Sequence, residues 1–125
     1  MFEIAVEETF AAGHALRGYK GKCEHVHGHN YKVRVTLAGG QLDQAGLLYD
    51  FVELKRSISQ VINALDHKFL NDLPPFDRLN PSAENIAKYF YGEITQQLAA
   101  TPNGARIKEI TIFETDTTTA TYRPA

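Results

Sequence analysis

Residues 23 to 30 read Cys-Glu-His-Val-His-Gly-His-Asn and gather the chain's only cysteine and three of its five histidines into eight positions. Imidazole nitrogen and thiolate sulfur are the ligands of borderline-soft metals, with Zn–N distances of about 2.0 to 2.1 Å. His27 and His29 stand two apart. In an extended strand that spacing puts both on one face with Cα atoms roughly 7 Å apart, so their side chains can converge on one ion. A bare His-x-His pair has a blander reading, as solvated or core histidines, and a third imidazole on the same face argues against it. Cys23 has two readings. Inside the shell it would complete a closed, structural tetrahedral site. Outside it, the fourth position stays open to water or substrate, as in catalytic zinc. An extended chain puts Cys23 about 13 Å from His27, so the spacing leans toward the open site.

The third imidazole comes from the elements that must carry the motif. Residues 2 to 14 alternate, with Phe2, Ile4, Val6, Phe10 and Ala12 on one side, and His14 ends that side. Residues 29 to 37 alternate in the same way, with Tyr31, Val33, Val35 and Leu37 inward, and His27 and His29 share their parity. Two strands with this period predict that His14, His27 and His29 lie on the core-facing side at one end of a sheet. From Phe51 the period lengthens: Leu54, Ile58, Val61, Ile62 and Leu65 form a helical stripe that ends near Leu65-Asp66-His67. The proline-rich stretch 71 to 82 reads as a loop. Asn80 or Ser82 then caps a second helix bearing Ile86, Phe90, Ile94 and Leu98. The run Ala100 to Ala105 closes that helix, and residues 106 to 113 and 117 to 123 read as two more strands. The order β, β, α, α, β, β predicts an α+β fold, an antiparallel sheet with two helices on one face. Two open sheet edges would need hiding, which points to a homo-oligomer.

The 125 residues suffice for one hydrophobic core, so 1–125 is read as a single domain. The formal net charge of -2 gives no reason to expect nucleic acid or an anionic membrane as partner. No apolar run approaches the roughly 18 residues of a membrane span, and the acidic start lacks the look of a signal peptide. A cytoplasmic location is expected, and a lone cysteine fits a reducing compartment.

Taken in order, Phe10-Ala-Ala-Gly-His14, Cys23-Glu-His-Val-His-Gly-His-Asn30, Leu65-Asp-His-Lys-Phe-Leu-Asn-Asp72, Asn80-Pro-Ser-Ala-Glu-Asn85 and Ile112-Phe-Glu-Thr115 resemble the 6-pyruvoyltetrahydropterin synthase and 6-carboxytetrahydropterin synthase family over nearly the whole chain. The Cys-x-x-x-His-Gly-His spacing is similar to the 6-carboxytetrahydropterin synthase branch. The resemblance implies the tunnelling fold, whose ββααββ subunits assemble into a barrel, commonly a hexamer, with active sites between subunits. It implies Zn2+ on His14, His27 and His29, with Cys23 as a proton-transfer group assisted by Asp66 and His67. Glu114 would anchor the pterin, and the substrate would be 7,8-dihydroneopterin triphosphate.

Each implied role has a chemical basis. A carboxylate accepts two hydrogen bonds side by side, as a pterin's ring N–H and exocyclic amine would offer them. Glu114 shares parity with Ile110 and Ile112 at the end of an apolar face, a placement that a β-bulge would upset. A protonated imidazole at His67, steadied by Asp66, would lower a neighbouring thiol's pKa. Adjacent residues diverge by about 100° on a regular helix, so both reach one site only if the backbone is irregular there. Arg17, Lys20 and Lys22 supply local cations for a triphosphate; a solvated basic loop is the plain alternative. His25 is expected at the surface or on the phosphate side. The implied reaction eliminates triphosphate and cleaves a carbon–carbon bond, giving 6-carboxytetrahydropterin and acetaldehyde on the way to 7-deazapurines such as queuosine. Two other readings stand beside it: the 6-pyruvoyl synthase, which keeps the side chain, and a non-catalytic, zinc-stapled pterin-binding or assembly protein with Cys23 as fourth ligand. No His-Glu-x-x-His helix supports a hydrolytic zinc enzyme.

Overall fold

The computed structural model describes residues 1–21, 24–98, 101 and 103–125. Five strands and two helices run in the order β1 (Phe2–His14), β2 (His27–Gly39), α1 (Phe51–Leu65), β3 (Lys68–Phe69), α2 (Ala83–Gln97), β4 (Arg106–Thr115) and β5 (Thr118–Tyr122), with a short 3-10 turn at Leu70–Asp72. The sheet order is β3-β1-β2-β4-β5. All neighbours are antiparallel except β3, which lies parallel to β1 and pairs Lys68 with Ala12 and Phe69 with Gly13. The predicted ββααββ order therefore gains one element. Two residues carry no readable period, and β3 exists because α1 ends beside the end of β1, where its next residues find free edge groups.

Local chemistry sets the helix starts. The Asp50 carboxylate accepts the Val52 N–H at 2.8 Å and caps α1, a cap the sequence reading did not assign. Of the two candidates for α2, Ser82 is the cap, its hydroxyl accepting the Asn85 N–H at 3.2 Å. Both helices cover one face of the sheet, α1 against β1 and α2 against β4 and β5. Between them lie Phe10, Tyr31, Val33, Val35 and Leu37 from the strands and Leu54, Ile58, Ile86, Phe90 and Ile94 from the helices, all buried. Burial of each such side chain stabilises the fold by about 1.5 to 3 kcal/mol relative to exposure.

Two register shifts interrupt the ladders. Thr36 pairs with Glu109 while Leu37 pairs with Ile107, so Lys108 is an extra residue on β4. The bulge lets Ile107 and Ile110, of opposite parity, both be buried. A second shift, between Phe113 and Thr115 against β5, falls at Glu114. The outer edge of β1 from Phe2 to Phe10 and the outer edge of β5 have no strand partner among the described residues.

Candidate metal centre and pterin site

The β1–β2 register sets His14 opposite His27 and Ala12 opposite His29. Directly opposed residues on one face hold their Cβ atoms about 4.5 to 5.5 Å apart, and a diagonal neighbour is within reach of a long side chain. The three rings consequently cluster, with centroids 4.6 Å (His14–His27), 5.1 Å (His14–His29) and 5.0 Å (His27–His29) apart. One nitrogen from each lies within 4.8 Å of the other two. The short β1–β2 connection turns back through Gly18, Lys20 and Gly21, at φ of 72°, 50° and 78°. Its base is pinned on both groups of Leu16: the Glu24 N–H donates to the Leu16 carbonyl, and the Leu16 N–H donates to the Glu24 carboxylate, each at 3.0 Å.

Two of the rings are oriented from behind. The buried His14 donates its Nδ1–H to the Pro81 carbonyl at 2.7 Å, and His27 donates its Nδ1–H to the His25 carbonyl at 3.0 Å. With both Nδ1 atoms protonated, the two Nε2 atoms, 3.0 Å apart, present lone pairs to each other. Such a pair is repulsive until a cation, proton or metal, shares it. His29 Nε2 is buried and has no hydrogen-bond partner among the described residues. Burial, opposed by the Glu114 charge and reinforced by the other two imidazoles, holds the His29 pKa below its ordinary value, which keeps the ring in the neutral, ligating form. Three clustered imidazoles, two of them with Nδ1–H groups donated to carbonyls, offer the donor set and part of the outer shell of a zinc-type site. The residues present fit a metal ion.

Glu114 joins this cluster in spite of the bulge, with Oε1 3.5 Å from His14 Nε2 and 4.0 Å from His29 Nε2, and its side chain stays one-third exposed. Tyr31 floors the cluster, its ring edge-on to His14 and His29 and stacked on Phe10 at 5.0 Å. Its buried hydroxyl lacks a partner among the described residues. Burial, with the Glu114 charge adding to it, pushes the phenol pKa well up.

The other predicted residues lie elsewhere. Asp66 and His67 sit at β1's edge: Ala11 donates its N–H to Asp66 Oδ1 at 2.9 Å and accepts the His67 N–H at 2.6 Å. The backbone is irregular there, with His67 at φ 60°, and the two side chains meet, His67 Nδ1 lying 3.1 Å from Asp66 Oδ1. The Ala11 N–H, helped by His67 and opposed by desolvation, holds the Asp66 carboxyl below the usual carboxylate range. His67 and Lys68 line a shallow hollow of about 460 Å³ together with Ala11, Gly13, Gly28 and His29. Arg17 donates from its guanidinium to the carbonyls of Phe76 (2.6 Å), Asn71 (3.3 Å) and Leu79 (3.5 Å), a structural engagement where a phosphate contact was expected. Lys20 is exposed with its Nζ 5.4 Å from the Tyr19 ring centre. Cys23 and Lys22 lie outside the described residues. His25 is exposed and serves the site through its carbonyl. The sequence reading missed Pro81, Glu24 and Tyr31; only Tyr31, by its parity with His29, carried a readable signal.

Comparison with known proteins matches this arrangement to one family. The profile of the family described as 6-pyruvoyl tetrahydropterin synthase matches residues 3–125. The 6-carboxy-5,6,7,8-tetrahydropterin synthase of Bacillus subtilis is 34% identical over 98% of this chain and 86% of its own. The 6-pyruvoyl tetrahydrobiopterin synthase of Poecilia reticulata is 35% identical over 93% of this chain and 86% of its own. Among solved structures, the Caenorhabditis elegans 6-pyruvoyl tetrahydropterin synthase superposes with a TM-score of 0.85 at 28% identity, covering 99% of this chain and 96% of that one. The fold is thus the tunnelling fold of these enzymes, and with its three clustered imidazoles the chain belongs to the 6-pyruvoyl tetrahydropterin synthase family.

Proposed function

We propose that the protein is a zinc-dependent lyase that converts 7,8-dihydroneopterin triphosphate to 6-carboxy-5,6,7,8-tetrahydropterin, acetaldehyde and triphosphate, a step toward 7-deazapurines. The observation that carries the metal part is the opposed pair of Nε2 lone pairs on His14 and His27, with His29 Nε2 beside them lacking a partner among the described residues. Bound there, zinc supplies Lewis-acid polarisation that acidifies the C–H bonds of the substrate's three-carbon substituent. The product follows from the Cys-x-x-x-His-Gly-His spacing and from relatives named as 6-carboxy synthases in Bacillus subtilis and Synechocystis.

The protein's own residues divide the remaining work. Glu114, a carboxylate at the mouth of the cluster, accepts the paired N–H donors of the pterin and so orients its substituent toward the imidazoles. Cys23 takes and returns the proton as a thiolate, with Asp66 and His67 supplying the charge that keeps it ionised. Lys20 and Lys22 hold the triphosphate; Arg17 belongs to the same group of cations and acts chiefly by fixing the loop that carries them. The Asp66–His67 pair is anchored at Ala11, three residues before His14 and about 10 Å along the strand. This separation, with the uncovered edges of β1 and β5, supports a homo-oligomer, a hexamer by family resemblance, whose sites are completed between subunits. The protein acts on a small molecule, in the cytoplasm, without nucleic acid or membrane as partner.

The test is to incubate zinc-loaded protein, beside a Cys23→Ala variant, with 7,8-dihydroneopterin triphosphate and identify products by mass. Acetaldehyde with the carboxy product from the parent alone is the expected result. The second reading, a 6-pyruvoyl synthase, is favoured by the Poecilia and Caenorhabditis relatives and would show itself as a pyruvoyl product without acetaldehyde.

A further inference from the structure

Beyond His14, the polypeptide leaves β1 without losing its hydrogen-bond partners. The partners are side-chain amides, where a strand would supply backbone. Asn71 accepts the Ala15 N–H at 3.0 Å and donates Nδ2–H to the Ala15 carbonyl at 2.7 Å. Asn80 does the same two residues on, accepting the Arg17 N–H and donating to the Arg17 carbonyl, both at 2.9 Å. A carboxamide is the one uncharged side-chain group that offers a donor and an acceptor side by side, as a peptide unit does. The two asparagines therefore continue the ladder that β3 begins at Ala12 and Gly13.

Asn80 differs from Asn71 in what it is attached to. Its own carbonyl accepts Nδ2–H from Asn85, in the first turn of α2, at 2.9 Å. The next residue, the buried Pro81, presents to His14 Nδ1 the carbonyl that orients that imidazole. Proline fixes φ near −65°, so with the Asn80 carbonyl held by Asn85 one backbone torsion, the Pro81 ψ, remains before the carbonyl that meets His14. Helix α2, Asn85, Asn80, Pro81 and His14 thus form one connected run, and the Asn80 carboxamide ties it across to β1's extension at Arg17. In metal sites, groups that hydrogen-bond a ligating histidine from behind change affinity by roughly 10- to 100-fold when lost.

We propose that Asn80 is a positioning residue for the metal centre: by fixing the Pro81 carbonyl against His14 Nδ1, it sets the affinity of the three-histidine site for a divalent cation. This rests on the metal reading given under Proposed function. It assigns a task to an asparagine that caps no helix and lies outside the cluster itself.

The experiment measures Zn2+ affinity by chelator competition, and the visible spectrum of the Co2+ form, in the parent, Asn80→Ala, Asn80→Asp and Asn103→Ala. Asn103 also donates to two carbonyls, those of Gln41 and Leu48, at the opposite end of β2, and so controls for lost hydrogen bonds as such. Asn80→Ala and Asn80→Asp are expected to bind Zn2+ about 10- to 100-fold more weakly, with an altered Co2+ spectrum. Asn103→Ala is expected to melt earlier and keep the parent's affinity within about twofold, since its bonds have no link to the outer shell of the site. Parental affinity and spectrum in both Asn80 variants would overturn the inference. Should they not fold, Asn85→Ala, which removes the side-chain donor to the Asn80 carbonyl, carries the test: weaker binding supports the inference and unchanged binding overturns it. A parent that binds neither ion would instead sink the metal reading, and this inference with it.

Discussion

His14 Nε2 and His27 Nε2 stand 3.0 Å apart, while the far nitrogen of each ring donates to a backbone carbonyl, so the two lone pairs meet with no proton between neutral rings. The arrangement is unfavourable alone and favourable around a cation. A divalent metal present at about a hundredfold over its Kd should stabilise the fold by about 2.7 kcal/mol, and a chelator should remove that gain. Thermal unfolding with and without Zn2+ checks this. His27→Ala should abolish most of the shift, and a His27→Ala protein with the parent's full shift would place the ion elsewhere.

Glu114 lies 3.5 Å from His14 yet is one-third exposed, a carboxylate at the cluster's mouth. Glu114→Gln should keep zinc and fold, and should raise KM by roughly tenfold or more, because hydrogen bonds to a charged group contribute about 1.5 to 3 kcal/mol. Steady-state kinetics beside zinc content decides it. Loss of zinc with unchanged KM would make Glu114 a ligand and no anchor.

Asp66 gives a pH signature. Its pKa is held below the ordinary 3.8, chiefly by the Ala11 N–H, so its contribution to stability is fully present above that value. It is lost as the pH falls through the lower, folded value. Asp66→Ala should therefore be less stable than the parent at neutral pH, and the gap should close in strong acid. Chemical denaturation from about pH 2 to 7 measures the two curves, and a gap independent of pH would contradict the assignment.

Tyr31 is buried under the histidines, and its hydroxyl has no partner among the described residues. Removing a buried, unpaired polar group is favourable, so Tyr31→Phe should gain about 1 kcal/mol. A loss of similar size on thermal unfolding would show that the hydroxyl is satisfied in solution.

How much of this was legible follows from the kind of signal each feature leaves. The alternation of Val6, Phe10 and Ala12 with Tyr31, Val33 and Val35 carries the parity that collects His14, His27 and His29 on one face. The stripe from Leu54 to Leu65 sets α1. The bulge at Lys108 left no trace in composition, since one extra residue shifts parity without changing residue types. Neither did β3, nor the cap at Asp50. The Pro81 carbonyl that orients His14 is a backbone group reached across 67 positions, and no side-chain pattern announces it. Arg17 was legible as a cation and illegible as a donor to three loop carbonyls, because that use depends on how the stretch from Asn71 to Leu79 folds back. Asp66 and His67 are adjacent in sequence to the end of α1, but their station at Ala11 depends on the left-handed turn at His67.

In the proposed mechanism the three histidines hold the metal while Cys23 does chemistry outside the shell. Zinc content and turnover of 7,8-dihydroneopterin triphosphate should be measured on the same samples of the parent and Cys23→Ala. Equal zinc per subunit in both proteins, with turnover in the parent alone, is the expected result. Zinc lost from Cys23→Ala together with activity would contradict it, and would make the cysteine the fourth ligand of a closed structural site.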